Sequence, residues 1–304
     1  MEAVDILCLG EAMVEFNQQP DGLFAPGFGG DTSNAAVSAA RQGARVGYLT
    51  CLGTDRFGDE ILSMWQTEGI DTAGVVHDPR YPTAIYFVTH DAEGHHYTYR
   101  RTGSAASHMH PQSFDETLIA GAKYLHVSAI SQAISASAAD AVFAAIETAN
   151  TNATRVSYDT NLRLNLWPLQ RARSLVHEAM RMCDLALPSY DDATALTGLS
   201  APDAIVDFYL ELGADTVILK VGGDGAIVAT GQQREKIGGI KVASIDMNGA
   251  GDTFAGALLA ELSRGVETMA AARYANVAAA LSTTGKGAVT AIPSRAEVEA
   301  FLAN

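Results

Sequence analysis

Asp246-Met247-Asn248-Gly249-Ala250-Gly251-Asp252-Thr253-Phe254 places two glycines and an aspartate where a loop turns into a helix. Ala255, Ala257, Leu258, Leu259 and Leu262 follow at helical spacing, which puts the helix start near Gly249 or Ala250. A helix start exposes unpaired backbone N–H groups and the positive end of the helix dipole, so it attracts anions. Gly249 and Gly251 carry no side chain and let a phosphate approach those amides. A carboxylate at the same spot repels a phosphate, but it suits a base that takes a proton from a hydroxyl attacking that phosphate. The segment therefore reads as phosphoryl transfer to an alcohol. Taken alone, a tight loop ending in an N-capping aspartate explains it better, so the rest of the chain has to decide.

Outward from that loop, apolar strand-like runs alternate with helical patterns. Strands are expected at 4–9, 46–51, 124–127, 155–158, 185–187 and 216–220, and helices at 34–42, 137–149, 169–182 and 202–212. Asp55 is read as the cap of a helix with Phe57, Ile61 and Trp65 on one face and Gly69 at its end. The alternation predicts an α/β fold: crossover units building a mostly parallel sheet with helices on both faces. Two stretches break the rhythm, at about 11–29 and 83–102, where residues such as Ile85-Tyr86-Phe87-Val88 alternate and aromatics accumulate. They are expected to form antiparallel strands outside the main sheet, a small lid inserted in one domain spanning 1–304. A hairpin is expected at 226–230 and 233–237, and helices at 269–284 and 295–302.

With 304 residues, 48% of them hydrophobic, the chain can bury a large core. Lys and Arg total 20 against 35 Asp and Glu, a net charge of −15 that repels nucleic acid and anionic membranes. An anionic substrate must then be held by local arginines, lysines or backbone amides. The start lacks the basic residues of a signal peptide, and no apolar run reaches membrane-spanning length. Cys8, Cys51 and Cys183 are far apart and embedded in apolar runs, so buried thiols of a cytoplasmic protein are expected.

Three other segments carry polar chemistry. Gly29-Gly30-Asp31-Thr32-Ser33-Asn34 reads equally as a loop with a helix cap or as a polyol site in which Asp31 and Asn34 bind hydroxyls. Tyr158-Asp159-Thr160-Asn161-Leu162-Arg163 lies at the carboxyl end of a strand, where open α/β sheets bind ligands. Arg163 there suits an anionic group. Lys220-Val-Gly-Gly-Asp-Gly225 ends a strand with glycines that suit either a plain hairpin turn or a passing nucleotide. The pairs His95-His96 and His108-x-His110 lack Cys or carboxylate partners at metal-ligand spacing and read as a solvated loop or as substrate hydrogen bonds.

Together these segments carry a resemblance over essentially the whole chain. In the order Gly29-Gly30…Asn34, Asp55-x-x-Gly58, Lys220-x-Gly222-x-x-Gly225 and Gly249-Ala250-Gly251-Asp252, the chain resembles the ribokinase-like (PfkB) carbohydrate kinases. The resemblance implies a Rossmann-like sheet with a small β-sheet lid, ATP and Mg²⁺, and Asp252 as catalytic base. Within the family the chain is similar to the 2-keto-3-deoxygluconate kinases, through Gly10-Glu11-Ala12-Met13-Val14-Glu15, Tyr99-x-Arg101-x-Gly103-Ser104-Ala105 and Asp159-x-Asn161-x-Arg163-x-x-Leu166-Trp167. That similarity implies Gly30, Asp31, Asn34, Tyr86, Tyr99, Arg101 and Arg163 around a sugar acid. It also implies Ser189, Lys220, Gly222, Gly225, Gly249, Gly251 and Asn276 around the nucleotide. Two arginines suit a substrate carboxylate, which arginine binds through two parallel hydrogen bonds. The family's Asp-Thr is Asp246-Met247 here, which implies a monovalent cation such as K⁺ at Asp246 without a threonine hydroxyl. Its Asn-x-x-Glu appears as Ser189-x-x-Asp192, with Asp192 implied near Mg²⁺ through water. A neutral-sugar kinase such as a fructokinase and a non-catalytic sugar-binding regulator are the alternatives. The lid's apolar strand faces suit a homodimer.

Overall fold

A computed structural model describes residues 4–91 and 94–303. The chain runs through β1 (Ile6–Leu9), β2 (Met13–Gln18) and β3 (Phe24–Gly29) into α1 (Asp31–Arg41). Then come β4 (Val46–Gly53), α2 (Arg56–Thr67), β5 (Val75–Asp78), β6 (Ile85–Asp91), β7 (Gly94–Arg100) and α3 (Glu116–Ala120). The alternation resumes with β8 (Tyr124–Ser128), α4 (Ala129–Ala133), α5 (Ala136–Thr151), β9 (Arg155–Asp159), α6 (Leu169–Arg181) and β10 (Leu185–Leu187). It continues through α7 (Tyr190–Thr197), α8 (Pro202–Leu212), β11 (Thr216–Lys220), β12 (Gly225–Thr230) and β13 (Arg234–Gly238). Three helices close the described chain: α9 (Ala250–Ser263), α10 (Thr268–Ser282) and α11 (Arg295–Leu302).

Among the described residues nine strands form one sheet in the order β13-β12-β11-β10-β9-β8-β1-β4-β5. The seven from β11 to β5 run parallel, and β12 and β13 add antiparallel at one edge. The period of two in β1 separates two cores. Ile6 and Cys8 pack with α1, α2, α9 and α10, while Leu7 and Leu9 pack with α5, α6 and α8 on the other face. Cys8, Cys51 and Cys183 are free and buried. Among the described residues no helix is long and apolar enough to cross a membrane.

The small sheet is present, with the order β3-β2-β6-β7, but it is not wholly antiparallel as expected. β2 and β6 run parallel, Val14 opposite Ile85. The reason is topological: between these strands the chain returns through α1, β4, α2 and β5, and such a long crossover delivers parallel partners. Phe16 of β2 meets Phe57 of α2 edge-on at 5.8 Å, which anchors the small sheet to the main body. β5, Val75-Val76-His77-Asp78, is too short to show a period in the sequence.

The close approach of α1 and α9 builds the floor of the site. A side chain at Gly256 would stand 2.2 Å from the Ala35 carbonyl oxygen and 2.8 Å from the Ala39 nitrogen, so the two backbones touch only because position 256 is glycine. Ser38 Oγ donates to the Thr253 carbonyl at 2.9 Å and locks the pair in register. Helix α1 starts at Asp31, three residues earlier than its expected start, with Gly30 as N-cap at φ 111°. The segment 29–34 is therefore mostly helix start and not loop, and its polar residues share the α9 end of the molecule.

Candidate active site

A cleft of about 960 Å³ opens between the carboxyl ends of the parallel strands and the small sheet. Helix starts supply Asp31 and Asn34 from α1, Ser189 and Asp192 from α7, and Gly249, Gly251 and Asp252 from α9. Strand ends supply Asp159 and Lys220, with Asn161, Arg163 and Gly222 in the following turns. The small sheet contributes Tyr86, Tyr97, Tyr99 and Arg101. Most of the expected site residues are thus brought to one cavity from segments more than 200 positions apart.

At one end lies an amide cradle. Gly249 caps α9 at φ 75°, a conformation that favours glycine, and a side chain there would press on Ala288 within 2.9 Å of its carbonyl. Among the described residues the N–H groups of Gly251 and Asp252 have no hydrogen-bond partner, as the first turn of a helix requires. Lys220 Nζ stands 3.5 Å from where a Cβ of Gly251 would be, so an ammonium faces the same mouth. Asp252 lines the cleft, half-buried, and accepts 2.8 Å from Asn34 Nδ2. Burial, then the nearby Asp31 and Asp159 carboxylates, push its carboxyl up to about 7, while Asn34 and Lys220 pull the other way. A carboxylate this basic beside free amides can accept a proton from a hydroxyl while an anion sits in the cradle.

The other end is built on the small sheet. Tyr86, 6% exposed, donates to Glu15 at 2.5 Å, and its ring stacks on Tyr99 at 5.6 Å. The Arg101 guanidinium lies 5.3 Å over Tyr99 and pairs with Glu11, a carboxylate 1% exposed that also accepts from Ser104 at 3.0 Å. Burial raises the Glu11 carboxyl, and Arg101 opposes that rise. Arg101 therefore brings less free positive charge than the sequence implied. Arg163 has no carboxylate partner among the described residues and donates only to the Leu162 carbonyl at 2.9 Å. Two buried atoms of cleft residues lack any partner among the described residues: Asn34 Oδ1, an acceptor, and Arg101 Nε, a donor.

Some expected residues sit elsewhere or do other work. Asn276 does not line the cleft; its amide donates to the Gly238 carbonyl at 2.9 Å under β13. Gly225 also lies outside the lining, packed so close that a side chain would stand 2.1 Å from the Ile237 carbonyl. The 220–225 segment is the turn from β11 to β12, and Gly222 alone of its glycines reaches the cleft lining with Lys220. Ser189 caps α7, accepting from the Asp192 N–H at 3.4 Å. Asp192 Oδ2 accepts from the Leu162 N–H at 3.1 Å, and burial raises its carboxyl. Asp246 holds the loop before α9: its two oxygens accept from the N–H groups of Asn248 and Gly287, each at 3.0 Å. His95 and His96 line the cleft, and His108 stacks on Tyr81 at 3.6 Å. Among the described residues no group of three side chains could hold a metal ion.

Asp159, Glu11, Glu15 and Tyr97 carry no sequence signal for the roles the structure gives them. Tyr97 OH donates to Asn248 Oδ1 at 2.9 Å, tying the small sheet to the loop that leads into the cradle. The alternation in 96–99 places Tyr97 and Tyr99 on one face of β7 and says no more. No local pattern announces a partner 151 residues away.

Comparison with known proteins agrees with this arrangement. The model of the pfkB family carbohydrate kinases matches residues 4–295. The 2-dehydro-3-deoxygluconokinases of Thermoproteus tenax and Bacillus subtilis (strain 168) are 33% and 30% identical to this chain. Both alignments cover 98% of it, and 94% and 95% of those proteins. A probable fructokinase-7 of Arabidopsis thaliana is 29% identical over 98% of the chain and 92% of its own length. Among solved structures, the PfkB protein from Polaromonas sp. JS666 superposes with a TM-score of 0.90 at 30% identity, covering 98% of this chain and 100% of that one. A putative ribokinase II from E. coli in complex with ATP and Mg²⁺ gives 0.91 at 26% identity, over 99% of both chains. The fold is ribokinase-like, and on a match spanning residues 4–295 the chain belongs to the pfkB family of carbohydrate kinases.

Proposed function

We propose that this kinase transfers the γ-phosphoryl group of ATP to the terminal hydroxyl of a sugar acid, 2-keto-3-deoxygluconate. The observation that carries the reading is Asp252: a basic carboxylate facing the cleft at the first turn of α9, beside two unpartnered amides and Lys220. The acceptor hydroxyl gives its proton to Asp252 as it attacks phosphorus in line, and the ADP oxygen leaves. The amides of Gly251 and Asp252 and the Lys220 ammonium stabilise the charge on the transferring group, while the Ala250 N–H, expected to join them, donates to the Met247 carbonyl at 3.3 Å. Gly222, Gly249 and Gly251 leave room for the nucleotide phosphates, and Ser189 stands at the same rim.

Mg²⁺ arriving with the nucleotide would neutralise phosphate charge. The donor set fits it, since Asp192 is a cleft carboxylate with one oxygen uncommitted to the backbone and Asp191 lines the cleft beside it. K⁺ fits less well. Both Asp246 oxygens already accept backbone N–H groups, and Met247 has no hydroxyl to offer. No step runs through that ion.

At the sugar end, Asn34 Oδ1 accepts from a hydroxyl, and Gly30 and Asp31 border the same hydroxyls. Tyr86 and Tyr99 face the ring, and Arg163 with the unpartnered Arg101 Nε faces the carboxylate. Arg163→Ala is expected to raise KM for the acid by about tenfold or more, the range of a charged hydrogen bond, with KM for ATP little changed. Equal loss with fructose as substrate would contradict the carboxylate assignment. A fructokinase is the second reading, favoured by the fructokinase relatives at similar identity and by Glu11 neutralising Arg101.

A further inference from the structure

Two charged residues at the phosphate end form a pair across the sheet. Asp159 ends β9 and Lys220 ends β11, with the three-residue β10 between them. The Lys220 ammonium reaches over that strand end to Asp159 Oδ2 at 2.5 Å, with the two side chains only 13% and 6% exposed. Asp159 is itself held, because its Oδ1 accepts from the Asn161 N–H at 3.2 Å. The same ammonium faces the amide cradle at Gly251.

A lysine stem left to itself has rotamer freedom to lose before its charge can act at one point. Here it would also have Asp252 as an attractive neighbour, since Lys220 already favours the ionised form of that carboxyl. An ammonium settled on Asp252 would occupy the lone pair the acceptor hydroxyl needs. Asp159 gives Lys220 a fixed partner at the mouth of the cradle.

We propose that Asp159 is a positioning residue for phosphoryl transfer: it fixes the Lys220 ammonium where the incoming phosphoryl oxygens arrive and holds it off Asp252. This inference rests on the reading of Asp252 as the base and deepens it. Asp31, Asp159 and Lys220 all act on the Asp252 carboxyl, and Asp192 lies close enough to act on Asp159.

The test is a double-mutant cycle on purified enzyme, with 2-keto-3-deoxygluconate or fructose, whichever the wild type phosphorylates faster. Asp159→Asn and Lys220→Met are each expected to lower kcat by at least about tenfold, approaching the ~10²–10³ cost of deleting a transition-state donor. KM for the sugar should stay within about twofold, since neither residue is placed at the sugar end. The double variant is expected to be no slower than Lys220→Met alone, because both changes remove the same placed charge. Losses that multiply, or wild-type kcat in Asp159→Asn, overturn the proposal. Asp159→Glu keeps the charge and should retain more kcat than Asp159→Asn; equal loss in both counts against the role even if the asparagine variant folds poorly. Asp252→Asn run alongside separates the two claims. Wild-type turnover there removes the base, whereas multiplying losses in the cycle remove the positioning role and leave the base standing.

Discussion

Replacing Asp252 by Asn should make this enzyme slower and more stable at once. Burial and the neighbouring Asp31 push the Asp252 carboxyl from 3.8 to about 7. A carboxyl with a raised folded-state value binds its proton more tightly when folded than when unfolded. Its contribution is therefore favourable at low pH, and stability falls as pH rises from about 4 through about 7. At about 1.4 kcal/mol per unit, the roughly three-unit rise costs at most on the order of 4 kcal/mol above pH 7. An asparagine side chain in its place would be neutral at every pH and could still accept from Asn34, so it should recover much of that cost. At roughly 2 °C per kcal/mol for a domain this large, Tm at pH 8 should rise by several degrees, up to about 8 °C. The gain should shrink as pH is lowered toward 5. Turnover should drop ~10²–10⁴-fold, the range for losing a general base. In the wild type, kcat/KM should fall about tenfold per pH unit below about 7, because the base is then protonated. Thermal scans at pH 5 and pH 8, with a coupled ADP-release assay, measure all of this. An Asp252→Asn enzyme that is as active as wild type, or that is less stable than wild type at pH 8, would refute the reasoning.

Two further outcomes follow from the small sheet. Arg101→Ala should destabilise the fold by roughly 3–5 kcal/mol, because it strands Glu11 buried without its partner, and adding Glu11→Gln should restore much of the loss in a denaturant titration. Tyr97→Phe removes only the hydroxyl that ties β7 to Asn248. Stability should change by no more than about 1 kcal/mol, while kcat/KM falls several-fold as the small sheet loses its tie to the cradle loop; unchanged kcat/KM would deny that tie a function.

Much of the fold could be read in advance because its signals are local. The four buried residues of β1 form an unbroken apolar run, and the Gly249–Asp252 segment marks a helix start by chemistry confined to a few positions. What escaped reading depends on distance along the chain. The parallel pairing of β2 with β6 is decided by the elements lying between them, and neither strand's residues encode it. Arg101 reads as a free cation until its buried partner 90 positions away is known. Asn276 resembled a nucleotide ligand by place in the sequence, yet its amide is committed to a β13 carbonyl. Ser189 and Asp192 carry a second meaning that spacing alone does not separate, since a serine three residues before an acid is also a helix start.

The most direct test of the account is a comparison of kcat/KM for 2-keto-3-deoxygluconate and for fructose, measured by ADP release with ATP and Mg²⁺ in the same buffer. The account predicts that the acid is preferred by well over about tenfold, the value of one charge-assisted contact at Arg163. Preference for fructose, or equal rates with both, would contradict it.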